Sequence, residues 1–446
     1  MQPFAVRPGV ENGLIVAKFG GSSLADAESI NNVLRIVRAD PRRRCIVVSA
    51  PGRRTSKDEK VTDLLYRWVS LKDKSCSFDG VRNAIKARYR AIVDGLGIAF
   101  DLDSEFGRIA AKIEQGVSTD YVASRGEYLM GRIMAIALGY EFVDPAECIT
   151  LDGRGKNVEN DRYLRTRIAE GCVVIPGFYG STAEGEIKTF SRGGSDITGA
   201  IVARALRAVL YENWTDVPGL LMADPRIVEN PREVAVVTYS EVRELAYMGA
   251  EVFHPVAMFA ARDGDIPINI RSTRLPDHFG TLIVSEENRV VNPGEIVGVA
   301  GRTGFVVIKI EKAMMNNEVG FVDRVLAVLR ENGISYEHMP SGIDVVSIIV
   351  DDRQVDGKLE YVLERIQQEC SPDTLELCPP IAMISTVGKG MIHTSGVAAR
   401  LFQAVADAKI NVRMINQGSS ELNIIIGVES RDLEAAIRAI YEAFAG

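Results

Sequence analysis

Five short apolar runs, Leu14–Phe19, Cys45–Ser49, Cys172–Pro176, Val209–Trp214 and Ile266–Ile270, alternate with stretches of helical period. Runs of this kind suit buried strands, and connections of this length suit crossover helices rather than hairpins. Between the first two runs Ile30, Val33, Leu34 and Val37 recur at helical spacing, with Asp26 placed as an N-cap. The pattern predicts an α/β fold, a mostly parallel sheet sandwiched by helices.

The text changes after Thr281–Val284. A polar stretch bearing Pro293 and Gly294 follows, and the domain boundary is expected there, with a first domain over residues 1–290. Beyond it lies a weak internal repeat, expected as two further domains over 291–378 and 379–446. The first copy reads as a strand at Phe305–Glu311, a turn at Met314–Gly320 and a helix with Val322, Val325, Leu326 and Leu329 in phase. Strands at Ile334–Met339 and Asp344–Val350, a helix near Lys358–Gln368 and a strand near Thr374–Cys378 complete it. The second copy reads as a strand at Ile381–Gly388, a helix carrying Val397, Leu401 and Val405, and strands at Ile410–Ile415 and Leu422–Val428. A last helix carries Leu433, Ala436, Ile437 and Ile440. Each copy is a β-α-β-β-α unit of the ferredoxin-like kind. The second copy lacks a final strand, and the spare run at 296–301, chiefly Ile296–Ala300, is expected to pair into its sheet.

The 446 residues leave room for two to three domains, and the balance of 46% hydrophobic to 25% charged residues excludes disorder as the main state. A formal charge of −8 without a basic stripe argues against nucleic acid as a partner. No apolar run approaches a membrane span, and the first residues lack a basic segment followed by an apolar one, so the chain is expected to be unexported and cytoplasmic. Cys45, Cys76, Cys148, Cys172, Cys370 and Cys378 form no CxxC pair, and His254, His278, His338 and His393 stand far apart, so neither a zinc site nor a disulfide scaffold is expected.

Lys18-Phe19-Gly20-Gly21-Ser22-Ser23 follows an apolar strand and precedes a helix. Glycines let backbone N–H groups approach an anion, and the lysine adds a point charge, which together make a phosphate cradle. It is neither a P-loop nor a dinucleotide fingerprint. The bland alternative is a Gly-rich turn with a solvated lysine. Ser49-Ala50-Pro51-Gly52 and Pro176–Gly180 close two other strands, and in doubly wound sheets such ends converge on one crevice. Ser191-Arg192-Gly193-Gly194-Ser195-Asp196 offers a guanidinium fork, flexible N–H donors and a carboxylate, and Ser124-Arg125-Gly126-Glu127 is expected to open another helix. An arginine grips a carboxylate and an acid pairs with an ammonium, so the expected substrate is an amino acid. The alternatives are a capping loop with a local ion pair for Arg192 and Asp196, and a solvated first-turn acid for Glu127. Thr215-Asp216-Val217-Pro218-Gly219 and Asp224-Pro225-Arg226 read as turns after a strand.

These segments, KFGGSS, VVSAPG, SRGE, TFSRGGSD, TDVPG, ADPR and the His254-Pro255 pair, resemble aspartokinase in order and spacing. The resemblance implies an amino acid kinase fold followed by two ACT domains. It implies transfer of the ATP γ-phosphoryl group to the side-chain carboxylate of L-aspartate, the step that opens the route to lysine, threonine and methionine. An ionised carboxylate, with a pKa of about 3.9, needs no general base. By the same match Lys18 and Asp196 are catalytic, Gly20, Gly21 and Ser22 bind phosphate, and Ser49, Glu127, Arg192, Gly193 and Ser195 bind aspartate. Thr215, Asp216 and Arg226 face the nucleotide, magnesium rides on the ATP phosphates, and no residue is a dedicated metal ligand. Leu221 stands where many members have tyrosine and Glu251 where several have lysine, which implies a nucleotide pocket different in detail.

The ACT pair implies regulation by an amino acid. Met315, Asn317, Gly320 and Phe321, with Glu337 and Ser341 facing them, are the expected effector residues, Met314 and Met315 having core filling as their alternative role. Lysine rather than threonine is the expected effector, because the chain has no homoserine dehydrogenase extension. A homodimer or larger assembly through the ACT edges is expected. Two other readings stay open: a kinase for another acidic amino acid, and a non-catalytic amino-acid sensor.

Overall fold

The computed structural model describes residues 13–74, 77–152, 157–158, 161–190, 193–250, 255–286 and 295–445. Two compact units share the chain. Met1–Leu220, Val234–Tyr239 and Val252–Val290 form one, and Leu221–Glu233, Ser240–Glu251 and Val291–Gly446 the other.

The first unit is built on an eight-stranded sheet. Its strands are β1 (Ile15–Phe19), β2 (Arg43–Val48), β3 (Glu141–Phe142), β4 (Val173–Pro176), β5 (Leu210–Thr215), β6 (Val236–Thr238), β7 (Ile268–Ser272) and β8 (Thr281–Val284). Their order is β6-β8-β7-β5-β1-β2-β4-β3, and every pair is parallel except β7 with β8. Each of the five apolar runs is a strand, and β1 is buried at every position because neighbours and helices cover it on all sides. Crossover α1 (Ala27–Arg38) starts where expected, with Asp26 Oδ1 accepting from the Ser29 amide at 2.9 Å. Between β2 and β3 the chain inserts α2 (Val61–Asp73), α3 (Asp79–Leu96), α4 (Leu102–Gln115) and α5 (Thr119–Leu138), whose apolar faces meet around Trp68, Tyr89 and Phe106. The last helix that bears on the site is α6 (Gly194–Leu206).

The second unit carries a six-stranded antiparallel sheet: β9 (Gly298–Glu311), β10 (Tyr336–His338), β11 (Val345–Asp351), β12 (Thr374–Val387), β13 (Met414–Asn416) and β14 (Asn423–Glu429), in the order β10-β11-β9-β12-β14-β13. Both β9 and β12 run straight through positions at which the sequence suggests two separate strands. The early part of β9 pairs Gly298 with Val387 and Ala300 with Ser385, and its late part pairs Ile308 with Leu377. The two repeats therefore share their central strands. Helices α7 (Phe321–Glu331) and α8 (Leu359–Cys370) pack on the first repeat, α9 (Val397–Asp407) and α10 (Leu433–Ala445) on the second.

The strands expected to start at Ile334 and Ile410 start later, at Tyr336 and Met414. The reason is the same in both repeats. Ile334 N–H donates to the Leu329 carbonyl at 2.9 Å behind Gly333 (φ 65°), and Ile410 N–H to the Val405 carbonyl at 3.1 Å behind Lys409 (φ 57°). These apolar residues close helix C-terminal caps rather than opening strands.

No helix among the described residues is long and apolar enough to cross a membrane. Cys45, Cys148, Cys172, Cys370 and Cys378 are free thiols, and Cys76 lies outside the described residues.

Candidate active site

The C-terminal ends of β1, β2 and β5 meet at one point. Gly20 N–H donates to the Trp214 carbonyl at 3.0 Å, and Ser49 N–H to the Phe19 carbonyl at 3.2 Å. The loops after β1 and β2 touch through Gly21 and Gly52. A Cβ on Gly21 would stand 2.9 Å from the Ala50 carbonyl oxygen, and one on Gly52 would stand 2.5 Å from the Gly21 carbonyl carbon. Arg88, buried on α3, holds the same loop by donating to the Gly52 carbonyl and pairing with Asp58.

Lys18 ends the buried face of β1, and its Nζ lies 2.5 Å from Asp196 Oδ1. Asp196 stands in the first turn of α6, behind Gly193 in the left-handed conformation (φ 75°), so its carboxylate is also favoured by the helix dipole. Ser195 is buried beside it. Phe178 closes the neighbouring loop with φ 79°, held by its amide on Thr198 Oγ1 at 3.0 Å.

Glu127 is not a first-turn residue. Ser118 caps α5 by accepting from the Tyr121 amide at 3.1 Å, so the helix starts earlier than expected and SRGE falls inside it. The Glu127 side chain is buried against the Ala50 amide, and Oε2 has no hydrogen-bond partner. Burial pushes its pKa up to about 8, with the Ala50 N–H opposing the rise. The charge of Arg125 also opposes the rise, yet Oε2 stays without a donor, and a buried carboxyl oxygen left so is costly.

Lys18, Gly21, Ser22, Ser49, Glu127, Gly193, Ser195, Asp196 and Asp216 all line one crevice of about 1240 Å³. Gly20 is not among the lining residues, although the Lys18 ammonium lies 3.6 Å from where its Cβ would be. Thr215 closes β5, its carbonyl accepting from the Thr273 amide at 2.9 Å, which ties the ends of β5 and β7. Arg226 belongs to the second unit, where it pairs with Asp224. Arg192, Glu251 and His254 lie outside the described residues.

Four basic wall residues went unforeseen in the sequence: Arg53, Arg54, Lys60 and Arg274. Their signal was available, since all follow the C-terminal ends of strands β2 and β7 in polar segments. Asn213 and Tyr211, which hold Asp196 from β5, carried no local signal.

In the second unit Met315 and Phe321 are buried, Phe321 opening α7 behind Gly320 (φ 82°), while Met314 is 63% exposed. Asn317 closes the turn Met315–Asn317, and Ser341 forms a bridge with Val346. Glu337 on β10 is almost fully buried, 4.0 Å from Arg302, and its Oε2 has no hydrogen-bond partner. Burial raises its pKa.

The model of the amino acid kinase family matches residues 13–272, and that of an ACT domain matches residues 384–444. Aspartokinase 3 of Bacillus subtilis is 37% identical, over 96% of this chain and 98% of its own length. The crystal structure of Clostridium acetobutylicum aspartate kinase superposes with a TM-score of 0.93 at 48% identity, covering 97% of this chain and all of that one. Escherichia coli aspartokinase III, 25% identical over 97% of this chain and all of its own, superposes with TM-scores of 0.74 in its complex with aspartate and ADP and 0.72 in its complex with lysine and aspartate.

Proposed function

Because the chain belongs to the amino acid kinase family and, within it, to the aspartokinases, we propose that it phosphorylates the side-chain carboxylate of L-aspartate with ATP, giving 4-phospho-L-aspartate and ADP under the control of a bound amino acid. A carboxylate oxygen of aspartate forms a bond to the γ-phosphorus as the bond to the β-phosphate oxygen breaks. No proton moves, because the nucleophile is already ionised. Catalysis is then alignment and relief of charge repulsion.

The observation that carries this reading is Glu127, a buried carboxyl whose Oε2 has no hydrogen-bond partner, in the crevice that also holds the Lys18–Asp196 pair. An α-ammonium supplies the donor that Oε2 lacks, and Arg192 takes the α-carboxylate, with Ser49, Gly193 and Ser195 around them. Lys18 neutralises the transferring phosphoryl group while Gly20, Gly21 and Ser22 seat it, and Asp196 holds Lys18 in place. Thr215, Asp216 and Arg226 face the nucleotide. Among the described residues no group of three or more His, Cys, Asp or Glu could hold a metal ion. Asp196, the acid beside the cradle, is an oxygen donor of the kind magnesium takes, and the ion would otherwise be held by phosphate oxygens and water. When bound, the ion offsets polyphosphate charge.

We assign residues 1–290 to catalysis and 291–378 and 379–446 to two ACT domains. Lysine is the proposed effector, in line with the lysine complex of Escherichia coli aspartokinase III. It would bind at Met315, Asn317, Gly320, Phe321, Glu337 and Ser341, in a dimer formed through the ACT edges. The test is ADP release from MgATP with L-aspartate, L-glutamate and N-acetyl-L-glutamate in parallel, each with and without L-lysine or L-threonine. Turnover with aspartate alone, abolished by Lys18→Ala and suppressed by lysine, is the expected result. Turnover with glutamate instead, or ATP binding without turnover, would overturn it.

A further inference from the structure

Asn213 stands beside Lys18. The two are direct partners in the parallel ladder of β1 and β5. Asn213 is 4% exposed, and its Nδ2 donates to Asp196 Oδ1 at 2.8 Å, the same oxygen that Lys18 Nζ meets at 2.5 Å. Two residues earlier on the same face, Tyr211 donates its hydroxyl to the Asp196 main-chain carbonyl at 3.2 Å. That approach depends on Gly199, where a Cβ would stand 2.4 Å from the tyrosine oxygen. Strand β5 thus grips Asp196 by its side chain and by its backbone.

We propose that Asn213 is a positioning residue for phosphoryl transfer, fixing the Asp196 carboxylate so that Lys18 can turn toward the phosphoryl group without taking Asp196 with it. The proposal rests on the roles given above to Lys18 and Asp196. A carboxylate oxygen held only by an ammonium follows that ammonium, since a charge-assisted bond is the strongest local force on it. A second donor from a buried strand pins the oxygen and divides its charge between two partners. The ammonium is then held less tightly and keeps its remaining N–H groups for the phosphate. Strands make rigid supports for such a constraint, and small misplacements at the reacting centre cost large factors in rate.

Two variants separate positioning from folding. Asn213→Leu keeps the approximate volume and removes the donor. Asn213→Asp keeps the shape and exchanges the donor for an acceptor. At saturating aspartate and MgATP, kcat of Asn213→Leu is expected to fall at least tenfold while KM for aspartate stays within about twofold. For Asn213→Asp, kcat is expected to be low at pH 8 and to recover as the pH falls, because a protonated carboxyl restores a donor to Asp196. The parent protein should show no such recovery. Loss of folded protein alone would lower apparent kcat without that pH signature, and if Asn213→Leu does not fold, the pH profile of Asn213→Asp carries the test. Parental kcat in Asn213→Leu, or a parental pH profile in Asn213→Asp, would overturn the proposal. Lys18→Met is assayed beside them. Full activity there would overturn the underlying assignment, whereas an inactive Lys18→Met with parental Asn213 variants would overturn only the role of Asn213.

Discussion

The Gly52 amide donates to the Gly21 carbonyl at 2.7 Å, so the loops that follow β1 and β2 meet backbone to backbone. Gly20, one residue earlier, is in a different position. Its φ of −73° and ψ of 165° suit any residue, and an added Cβ would meet nothing closer than the Trp214 carbonyl oxygen at 3.5 Å. Gly21→Ala is therefore expected to cost about 1–3 kcal/mol through overpacking. Gly20→Ala should leave stability unchanged or raise it by up to about 1 kcal/mol by restricting the unfolded chain. Activity should run the other way for Gly20→Ala. A methyl group beside the Lys18 ammonium blocks the approach of a phosphoryl group to bare backbone, so kcat/KM should fall at least tenfold in a protein of undiminished stability. Denaturant midpoints and ADP release, measured on both variants, check the pair of predictions, and a fully active Gly20→Ala would remove Gly20 from the phosphate cradle.

Glu127 makes aspartate binding depend on pH. In the free protein burial holds its pKa at about 8, so at pH 7 the carboxyl is mostly protonated, while an ammonium pairs only with the ionised form. Binding therefore releases a proton. The dissociation constant for aspartate should fall up to tenfold per pH unit as the pH rises from 6 toward 8, and level off above that. Titration calorimetry in buffers of different ionisation enthalpy measures the released proton directly. Glu127→Gln should weaken binding and abolish the release. Stability has the opposite sign. The folded carboxyl keeps its proton above the unfolded value of 4.5, so stability of the ligand-free protein falls as pH rises between about 4.5 and 8. Glu127→Gln should not show that fall.

Local chemistry made much of this molecule legible. KFGGSS announces a cradle because glycines, lysine and a strand end stand together in sequence, and Lys18, Gly21 and Ser22 do line one crevice. The apolar runs announce strands because parallel strands are buried on both faces. What failed to show depends on partners far away in sequence. Glu127 is buried because α5 lies against the Ala50 segment, which no spacing within SRGE reveals. Asn213 matters only because β5 pairs with β1 across nearly two hundred residues. Ile334 and Ile410 look like strand residues, yet both complete helix caps, a role that an apolar residue fills equally well.

The opposite face of β5 gives the last prediction. Glu212 is 2% exposed and accepts from Arg43 Nε at 2.7 Å and Arg43 Nη2 at 3.0 Å, from Trp214 Nε1 at 2.9 Å and from Arg271 Nη1 at 3.4 Å. Arg43 and Arg271 both also lie against the Trp214 ring, whose carbonyl holds the Gly20 amide. One carboxylate thus balances two guanidinium groups beneath the cradle. Removing its charge takes away the carboxylate that both share and leaves Arg43 with the Ile36 carbonyl and Arg271 with the Pro276 and His278 carbonyls, and breaking a buried pair from one side costs about 3–5 kcal/mol. Glu212→Gln retains the shape and an acceptor for Trp214, so the loss isolates charge from packing. The exposed Arg67–Glu59 pair is the control, since pairs in contact with water contribute little. Urea unfolding should show a large drop in midpoint for Glu212→Gln and a negligible one for Glu59→Gln. A similar small shift in both would mean that the cluster is held by packing around Trp214 rather than by its charges.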